Sequence, residues 1–318
     1  MITLRKKPLL LHYFVTTACN CCCGFCDIHR RPAQTAMLPD VLDNLRKARK
    51  LGAWFADFTG GEPLLFKALP EVLREARKLG FVTSVTTNGI LLAARAQELA
   101  GLIDLPRVSL DGTKAIHNRL RGADCFDAVL EGLAAARKAG LRPDILFTLT
   151  EENQGEIEGV YTIARRFRTQ LILDPAFSYF NNPSYASLDA LLRRWSRHRH
   201  VYVNGGLLKL RAAGGNSTTR PACRVMDAVI VIGPDNRLLV PCYHHAQEGL
   251  PIRNDLDTLW KSEPVRALRK KQGRFPFCEG CAINCYLDPS FCFRADLHFL
   301  HSMLPKAKYA LNRWLLPF

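Results

Sequence analysis

Thr17-Ala18-Cys19-Asn20-Cys21-Cys22-Cys23-Gly24-Phe25-Cys26 sets Cys19, Cys23 and Cys26 in a C-x3-C-x2-C spacing directly behind the apolar run Leu9–Thr16. Three thiolates on one tight loop can hold three irons of a [4Fe–4S] cluster and leave the fourth iron without a protein ligand. An open coordination position separates a reactive metal site from a closed structural one. Cys21 and Cys22 share the loop, so a different choice of ligands stays open at this point.

Outward from the loop, residue 8 to about 175, short strand-like runs alternate with amphipathic helices. Leu9–Thr16, Trp54–Thr59, Phe81–Thr87, Pro106–Leu110, Pro143–Thr148 and Gln170–Leu173 read as buried strands. Between them Val41, Leu42, Leu45, Ala48 and Leu51 recur at helical spacing and stop at Gly52. Val72, Leu73, Ala76 and Leu79 do the same between Pro70 and Gly80, and Phe126, Val129, Leu130 and Leu133 form a third stripe before Gly140. Strict alternation implies parallel strands with helical crossovers, here an α/β fold built as a partial (β/α)6 barrel.

In a parallel barrel the carboxyl ends of the strands face one mouth. The first strand runs into the cysteine loop, the second into Gly60-Gly61-Glu62-Pro63, the third into Asn88 and the fourth into Ser109-Leu110-Asp111. Glycines let a backbone approach a ligand closely because no Cβ intervenes. Glu62 is suited to pair with a ligand ammonium through charge-assisted hydrogen bonds. A lone Gly-Gly-Glu reads as a turn; four such groups in register read as one site.

Together these motifs resemble the radical S-adenosylmethionine (SAM) superfamily, whose spacing fits only Cys19, Cys23 and Cys26. The resemblance implies a [4Fe–4S] cluster on those thiols, with SAM chelating the open iron. Gly60, Gly61 and Glu62 would then meet the SAM amino group. Asn88, Ser109 and Asp111 would contact the ribose or methionyl part, and the backbone around Phe25 the adenine. Arg121, in His117-Asn118-Arg119-Leu120-Arg121-Gly122, matches the family's carboxylate partner, with a plain surface charge as the competing reading. The chemistry implied is reductive cleavage of SAM to methionine and a 5′-deoxyadenosyl radical, with electrons from a donor such as flavodoxin or ferredoxin. That radical modifies an unactivated carbon of the substrate.

The alternation then fails. Gly205, Gly206, Gly214, Gly215, Asn216 and Ser217 make residues 205–222 read as loop or linker. Ala228–Ile232, a turn at Pro234-Asp235-Asn236 and Leu238–Val240 read as a hairpin without the customary glycine, where Asn236 serves instead. Cys223, Cys242, Cys278, Cys281, Cys285 and Cys292 follow, while Cys125 opens a helix as a small buried hydrophobe. Zinc is the usual structural occupant of paired C-x2-C elements. This region resembles the SPASM and shorter twitch extensions of radical SAM enzymes. Arg220-Pro221-Ala222-Cys223 and Pro241-Cys242 match their opening, although the full SPASM run C-x2-C-x5-C-x3-C is missing. One auxiliary [4Fe–4S] cluster is the implication, with Cys223, Cys242, Cys278 and Cys281 as the twitch-like ligands and Cys285 as their rival. Pro241-Cys242-Tyr243 with C-x2-C-x3-C also resembles the enzymes that adenosylate hopanoid precursors. The expected division is 1–200 for the core, 201–292 for the auxiliary-cluster domain and 293–318 for a tail.

Composition narrows the setting. A chain of 318 residues, 48% hydrophobic, buries a large core. Twelve cysteines suit a disulfide framework only in short secreted chains. Arg5, Lys6 and Lys7 before Leu9-Leu10-Leu11 imitate an export signal, but the run is broken by His12 and Cys19 belongs to the metal spacing. A cytoplasmic, reducing location is expected, and no stretch reaches the ~18 apolar residues of a membrane span. The formal charge of +15 favours an acidic partner. The densest basic patch, Arg193–His200, lacks a nucleic-acid module, so nucleic acid is not an expected partner. Phe293, Leu297, Leu300 and Leu304, then Ala307, Ala310, Leu311, Trp314 and Leu315, interspersed with Lys306, Lys308 and Arg313, describe a basic amphipathic tail. Such a tail either contacts a membrane peripherally or packs on its own barrel. The expected substrate is a lipid or isoprenoid at the membrane surface, and a ribosomally made peptide is the rival. Against the peptide, a first strand starting by residue 9 leaves no room for a leader-binding domain before it. An iron–sulfur electron carrier would leave Glu62 and Asp111 without purpose. Tyr179, Tyr243 and His244 are the substrate-side candidates.

Overall fold

Pro39 opens and Gly52 closes the first helix, whose stripe Val41, Leu45, Ala48 and Leu51 is buried, and the same punctuation shapes the rest of the chain. The computed structural model describes residues 7–176, 186–245, 249–253 and 255–315. Strands β1 (Leu10–Thr16), β2 (Phe55–Gly60), β3 (Val82–Thr87), β4 (Leu105–Ser109), β5 (Asp144–Leu149) and β6 (Leu171–Pro175) lie parallel in chain order. Helices α1 (Leu38–Leu51), α2 (Leu69–Lys78), α3 (Leu92–Leu99), α4 (Lys114–Arg121), α5 (Phe126–Lys138) and α6 (Ile157–Arg166) make the crossovers. All six expected strands are present, their ends displaced by a residue or two. Tyr179, Arg5 and Lys6 lie outside the described residues.

Strand alternation sorts the side chains. Leu11, Tyr13, Val15, Ala56, Phe58, Val85, Val108, Ile145 and Phe147 face the helices and form the core. Tyr13, for instance, accepts a hydrogen bond from Asn44 Nδ2 of α1 at 3.2 Å. The alternate residues line the interior of the partial barrel. The register sets His12 beside Asp57, Asp57 beside Ser84, and Arg107 beside Asp144. A polar row therefore crosses the concave face.

Beyond β6, α7 (Ala186–Trp195) leads to a short β7 (Val201–Tyr202), which pairs parallel with β6. Residues 205–212 are helix α8 (Gly205–Ala212) rather than linker. Asn204 caps it, accepting from Gly206 N and Leu207 N at 3.0 and 3.2 Å. Then come α9 (Val225–Ala228), β8 (Val229–Ile232), β9 (Arg237–Leu238), β10 (Leu250–Pro251), α10 (Leu256–Lys261), α11 (Glu263–Lys270), α12 (Asn284–Phe291) and α13 (Leu297–Ala310). The glycines that imitate a linker are contact points. A Cβ on Gly205 or Gly206 would stand 2.6 or 2.7 Å from the carbonyl oxygens of His301 and His298 in α13.

Strand β8 pairs parallel with β1, giving one ten-stranded sheet of order β10-β9-β8-β1-β2-β3-β4-β5-β6-β7. The sheet thus runs across the boundary expected near residue 200. Asn236 holds the left-handed conformation the hairpin turn needs, at φ 54°. Its Oδ1 accepts from Asn44 Nδ2 at 2.8 Å.

Helix α13 and a following π-helical turn (Leu311–Leu315) cross the amino ends of the strands. Arg313 pairs with Asp144 at 2.6 Å, as Tyr309 does through its hydroxyl, and donates to the carbonyls of Asp104 and Arg142. Lys306 pairs with Asp288, and Lys308 donates to the carbonyls of Ser196 and His198. The tail therefore docks on its own barrel, and the expected outward basic face is turned inward. Its leucines and Trp314 face solvent. Among the described residues no helix is long and apolar enough to cross a membrane.

Candidate active site

The cysteine loop is closed by its own flanks. Thr16 Oγ1 donates to Gln34 O, Thr17 Oγ1 to Pro32 O, and Gln34 N returns a bond to Thr17 Oγ1, all within 2.7 to 2.8 Å. The end of α4 holds the middle of the loop: Cys22 N and Gly24 N donate to the carbonyls of Arg121 and Leu120. Cys21 is buried behind the loop, and its hydrogen bonding with Cys19 and Cys23 lowers both of those thiols. Burial instead raises Cys26. Lowered thiols are the better metal ligands.

Gly60 and Gly61 meet the start of this loop. Their added Cβ atoms would lie 2.1 Å from Thr16 O and 2.2 Å from Ala18 O. Gly61 N and Glu62 N donate to those same carbonyls at 2.7 and 2.8 Å. The glycines thus bring backbone against backbone and aim Glu62 into the mouth. Glu62 is fully buried and accepts from Leu64 N, Thr87 Oγ1 and Asn88 N at 2.7 to 2.9 Å. Burial raises its carboxyl despite these donors. An ionised carboxylate offers about four acceptor sites, so one remains.

Asn88 Nδ2 reaches Asn20 Oδ1 on the cysteine loop at 2.6 Å. Ser109, also buried, ends β4. Asp111, fully buried, pairs through Oδ2 with Arg121 Nη2 at 2.5 Å and accepts from Thr148 N at 2.7 Å. His117 Nδ1 accepts from Asp111 N, and Asn153 Nδ2 donates to Asp111 O, fixing the turn. Arg121 also approaches Cys23 Sγ at 3.8 Å and covers the Phe25 ring at 5.5 Å. The Asp111 charge raises Arg121 against the cost of its burial, and its Nε is buried without a partner. His117 and Asn153 escaped the sequence reading; Asp111 and Arg121 were read there as separate ligand contacts and stand here as a pair.

The second cysteine set converges on an apolar cavity of about 30 Å³. Cys223, Cys242, Cys278 and Cys281 line it together with Phe275, Tyr286 and Leu287. Burial raises Cys223, and the three other thiols push it the same way. Asn216, fully buried, ties the Cys223 segment to the Gly273–Cys281 segment. Its Oδ1 accepts from Ala222 N and Cys223 N, and its Nδ2 donates to Gly273 O and Cys278 O, at 2.9 to 3.1 Å. Cys285 and Cys292 do not line this cavity. Among the described residues no three His, Cys, Asp or Glu side chains close on a single metal ion.

Cys285 faces the barrel interior instead. Cys285 is itself open to solvent; desolvation by the surrounding wall and the charges of Asp174 and Asp57 push its thiol up, and Arg107 pulls back. Around it His12 Nδ1 meets Asp57 Oδ2 at 3.0 Å, and Asn284 Nδ2 donates to Asp174 Oδ1 at 3.0 Å. Burial pushes Asp174 up to about 6. Burial pushes Asp57 up, but hydrogen bonds from His12 and Ser84 and the Arg107 charge hold it below its ordinary value. Tyr243 stacks on Phe14 at 4.0 Å, under the Arg31 guanidinium, and its hydroxyl is buried without a partner. His244 lies edge-on to Tyr243 and Tyr286 at 5.3 and 5.5 Å. Two of the three substrate-side candidates thus border this chamber. The signal for His12, Asp57, Arg107 and Asp174 was in the sequence: each is the one imidazole, carboxylate or guanidinium in its strand.

The Radical SAM superfamily profile matches residues 13–164. The chain carries a radical SAM domain. Two curated proteins from the archaea Sulfurisphaera tokodaii and Saccharolobus solfataricus, each named probable GTP 3′,8-cyclase, are 33% and 38% identical to it over 160 and 167 residues. Those matches cover 48% and 49% of this chain, which spans about half the length of these relatives, 51% and 53%. Among solved structures, Streptococcus suis SuiB bound to S-adenosylmethionine superposes with a TM-score of 0.72 at 18% identity, over 92% of this chain and 77% of that one. The anSMEcpe structure with bound AdoMet gives 0.66 at 18% identity, over 96% and 94%. At that identity the likeness is one of fold.

The family's cofactors are a [4Fe–4S] cluster and SAM, and the site fits both. Lowered thiols at Cys19 and Cys23 suit iron. The free acceptor site of Glu62 suits an ammonium, and the unpartnered Arg121 Nε suits a carboxylate.

Proposed function

We propose that this chain is a radical SAM enzyme that modifies an unactivated carbon of a polar substrate, a segment of a peptide. Cys19, Cys23 and Cys26 would hold the cluster. Glu62 and Arg121 would hold the two ends of the SAM amino acid. Asn88, Ser109, Asp111 and the backbone at Phe25 would hold the rest, with Gly60 and Gly61 shaping the turn. When bound, this pair supplies a 5′-deoxyadenosyl radical at the barrel mouth. Cys223, Cys242, Cys278 and Cys281 would hold the auxiliary cluster, with Cys285 left to the chamber. The partition into a core (1–200), an auxiliary region (201–292) and a tail (293–318) is functional, since one sheet serves the first two.

The observation that carries the substrate class is the chamber below the mouth. His12, Asp57, Ser84, Arg107 and Asp174 make its wall polar. A hydrocarbon would offer this row no hydrogen-bonding partner. A peptide backbone offers both donors and acceptors to that row. The reading therefore moves from the lipid or isoprenoid substrate expected from the sequence to a peptide. In keeping with a peptide, SuiB, which shares the fold, has been solved bound to its precursor peptide SuiA. A nucleotide is the second reading, favoured by the relatives named GTP 3′,8-cyclase and by the net charge of +15.

The test is anaerobic turnover with dithionite and SAM, following 5′-deoxyadenosine by mass spectrometry. Peptides encoded beside the gene, GTP and an isoprenoid alcohol are added in turn. A peptide should accelerate release and gain or lose mass; stimulation by GTP alone transfers the reading to a nucleotide, and by the isoprenoid alone refutes it.

A further inference from the structure

The end of the barrel opposite the cysteine mouth carries two features that the cofactor chemistry does not use. The first is the outward face of α13 and its following turn. Leu297, Leu300, Leu304, Leu311, Trp314 and Leu315 are exposed there, from 44% at Leu311 to 73% at Leu304. A surface helix ordinarily buries its apolar face and shows its polar one. Here the relation is reversed, because Ser302, Lys306, Lys308, Tyr309 and Arg313 are spent on the barrel. A contiguous exposed apolar stripe of this kind marks an interaction surface.

The second feature adjoins the end of that stripe. A cleft of about 140 Å³ is lined by Arg137, Arg142, Arg168, Asn312 and Arg313 at the amino ends of β5 and β6. Its one acid, Asp144, is already paired with Arg313 and Tyr309. Arg313 is only 5% exposed, and its Nε has no partner. Arg137 Nη1 donates to Arg168 O at 3.2 Å, which gathers the arginines without neutralising them. Burial lowers Arg137, and the like charges of Arg168 and Arg142 add to that. The cleft thus gathers four arginines around one acid that is already paired.

We propose that this end of the molecule docks on an anionic phospholipid bilayer, with the leucine and tryptophan stripe in the interface and a lipid phosphate in the arginine cleft. The near-heptad spacing of the stripe would also suit a second helix. Charge decides between them: a second copy of this chain brings another +15 against the same arginines, whereas an anionic surface satisfies them. Trp314 at the edge of the stripe is the residue type that settles at the headgroup level. Apolar insertion and attraction of the arginines then act together, as in interfacial helices. The proposal is independent of the substrate reading.

The experiment is co-sedimentation of the reconstituted full chain with phosphatidylcholine vesicles, with and without phosphatidylglycerol. Binding should be at least about tenfold stronger to the anionic vesicles and should weaken with salt. Leu304→Ser with Leu311→Ser, and separately Arg142→Glu with Arg168→Glu, change only exposed side chains. Each pair should lower binding about tenfold or more, with iron content and uncoupled SAM cleavage unchanged. Inorganic phosphate that raises the thermal midpoint through the arginines, with no vesicle binding, would make the cleft a free-phosphate site and overturn the proposal. So would a native dimer that the leucine variants dissolve while both proteins ignore vesicles.

Discussion

Asn216→Ala removes the clasp of the second cysteine set in one step. Four side-chain hydrogen bonds vanish, from Ala222 N and Cys223 N and to Gly273 O and Cys278 O. At a net worth of about 1 kcal/mol each, that is about 4 kcal/mol of local stability. The freed amides and carbonyls are buried at the cavity wall, so reorganisation is cheaper than leaving them unpaired. For a chain of this size the midpoint should fall by roughly 6 °C. The chemical consequence is sharper than the thermal one. Cys223 lies on one segment and Cys278 and Cys281 on another, and Asn216 joins the two, since its own amide and carbonyl also bond Cys281 O and Gly280 N. Iron in anaerobically reconstituted protein should therefore drop from about eight atoms to about four. Uncoupled release of 5′-deoxyadenosine should persist, because the loop of Cys19, Cys23 and Cys26 rests on α4 and β2. Asn216→Asp should do no better, as a carboxylate would face two carbonyls. An Asn216→Ala protein with about eight irons and a native midpoint would refute this account of the auxiliary site.

Changing Cys19, Cys23 and Cys26 together to Ala should leave about half the iron, all of it in the auxiliary site; zinc in that half, measured by elemental analysis, would remove the auxiliary cluster but not the first. Arg121→Ala strands the fully buried Asp111 carboxylate and should cost about 3–5 kcal/mol in urea titration. Arg121→Lys keeps the charge but loses the Nε donor, so calorimetry should show SAM binding about tenfold weaker on a stable fold; native affinity would sink the carboxylate role. Asp174 has a folded value of about 6 against an ordinary 3.8, so ionising it costs the fold. That cost is absent below pH 4, grows through the interval and is complete above pH 6, with a ceiling of about 3 kcal/mol. Asp174→Asn should stabilise the protein at pH 8 and leave it unchanged at pH 4, and an equal effect at both would contradict the assignment.

The barrel was legible because its signals are local. Each strand run ends at a turn residue, each helix stripe ends at glycine, and Glu62, Asn88 and Asp111 stand where strands stop. The losses came from contacts that no local pattern records. Gly205 and Gly206 read as linker because a glycine needed for a close helix crossing looks the same in sequence as one needed for flexibility. The strand Val229–Ile232 read as half of a separate hairpin, since nothing in its residues says that its partner is β1, more than two hundred positions away. The basic residues of the tail were visible, but their acids were not: Asp144 and Asp288 lie far off in the chain. Asn216 sat among loop signals, and only the fold shows its four bonds.

Helix α12 joins the two centres more closely than the sequence implied. Tyr286 lines the auxiliary cavity, yet its ring also stands edge-on to His244 at 5.5 Å and to His12 at 6.4 Å. The residue before it, Cys285, senses Asp174 and Asp57 inside the barrel, and the residue before that, Asn284, holds Asp174 directly. On the facing side Cys242 lines the auxiliary cavity while its neighbour Tyr243 stacks on Phe14 at the root of the cysteine loop. Consecutive residues therefore belong alternately to the auxiliary site and to the chamber. An auxiliary cluster that fixes Cys242 and Cys281 also fixes the wall of the chamber that Tyr243, Asn284 and Cys285 present. Loss of that cluster would therefore be expected to loosen this wall as well. The bottom of the same chamber is closed by Tyr309 and Arg313 on Asp144.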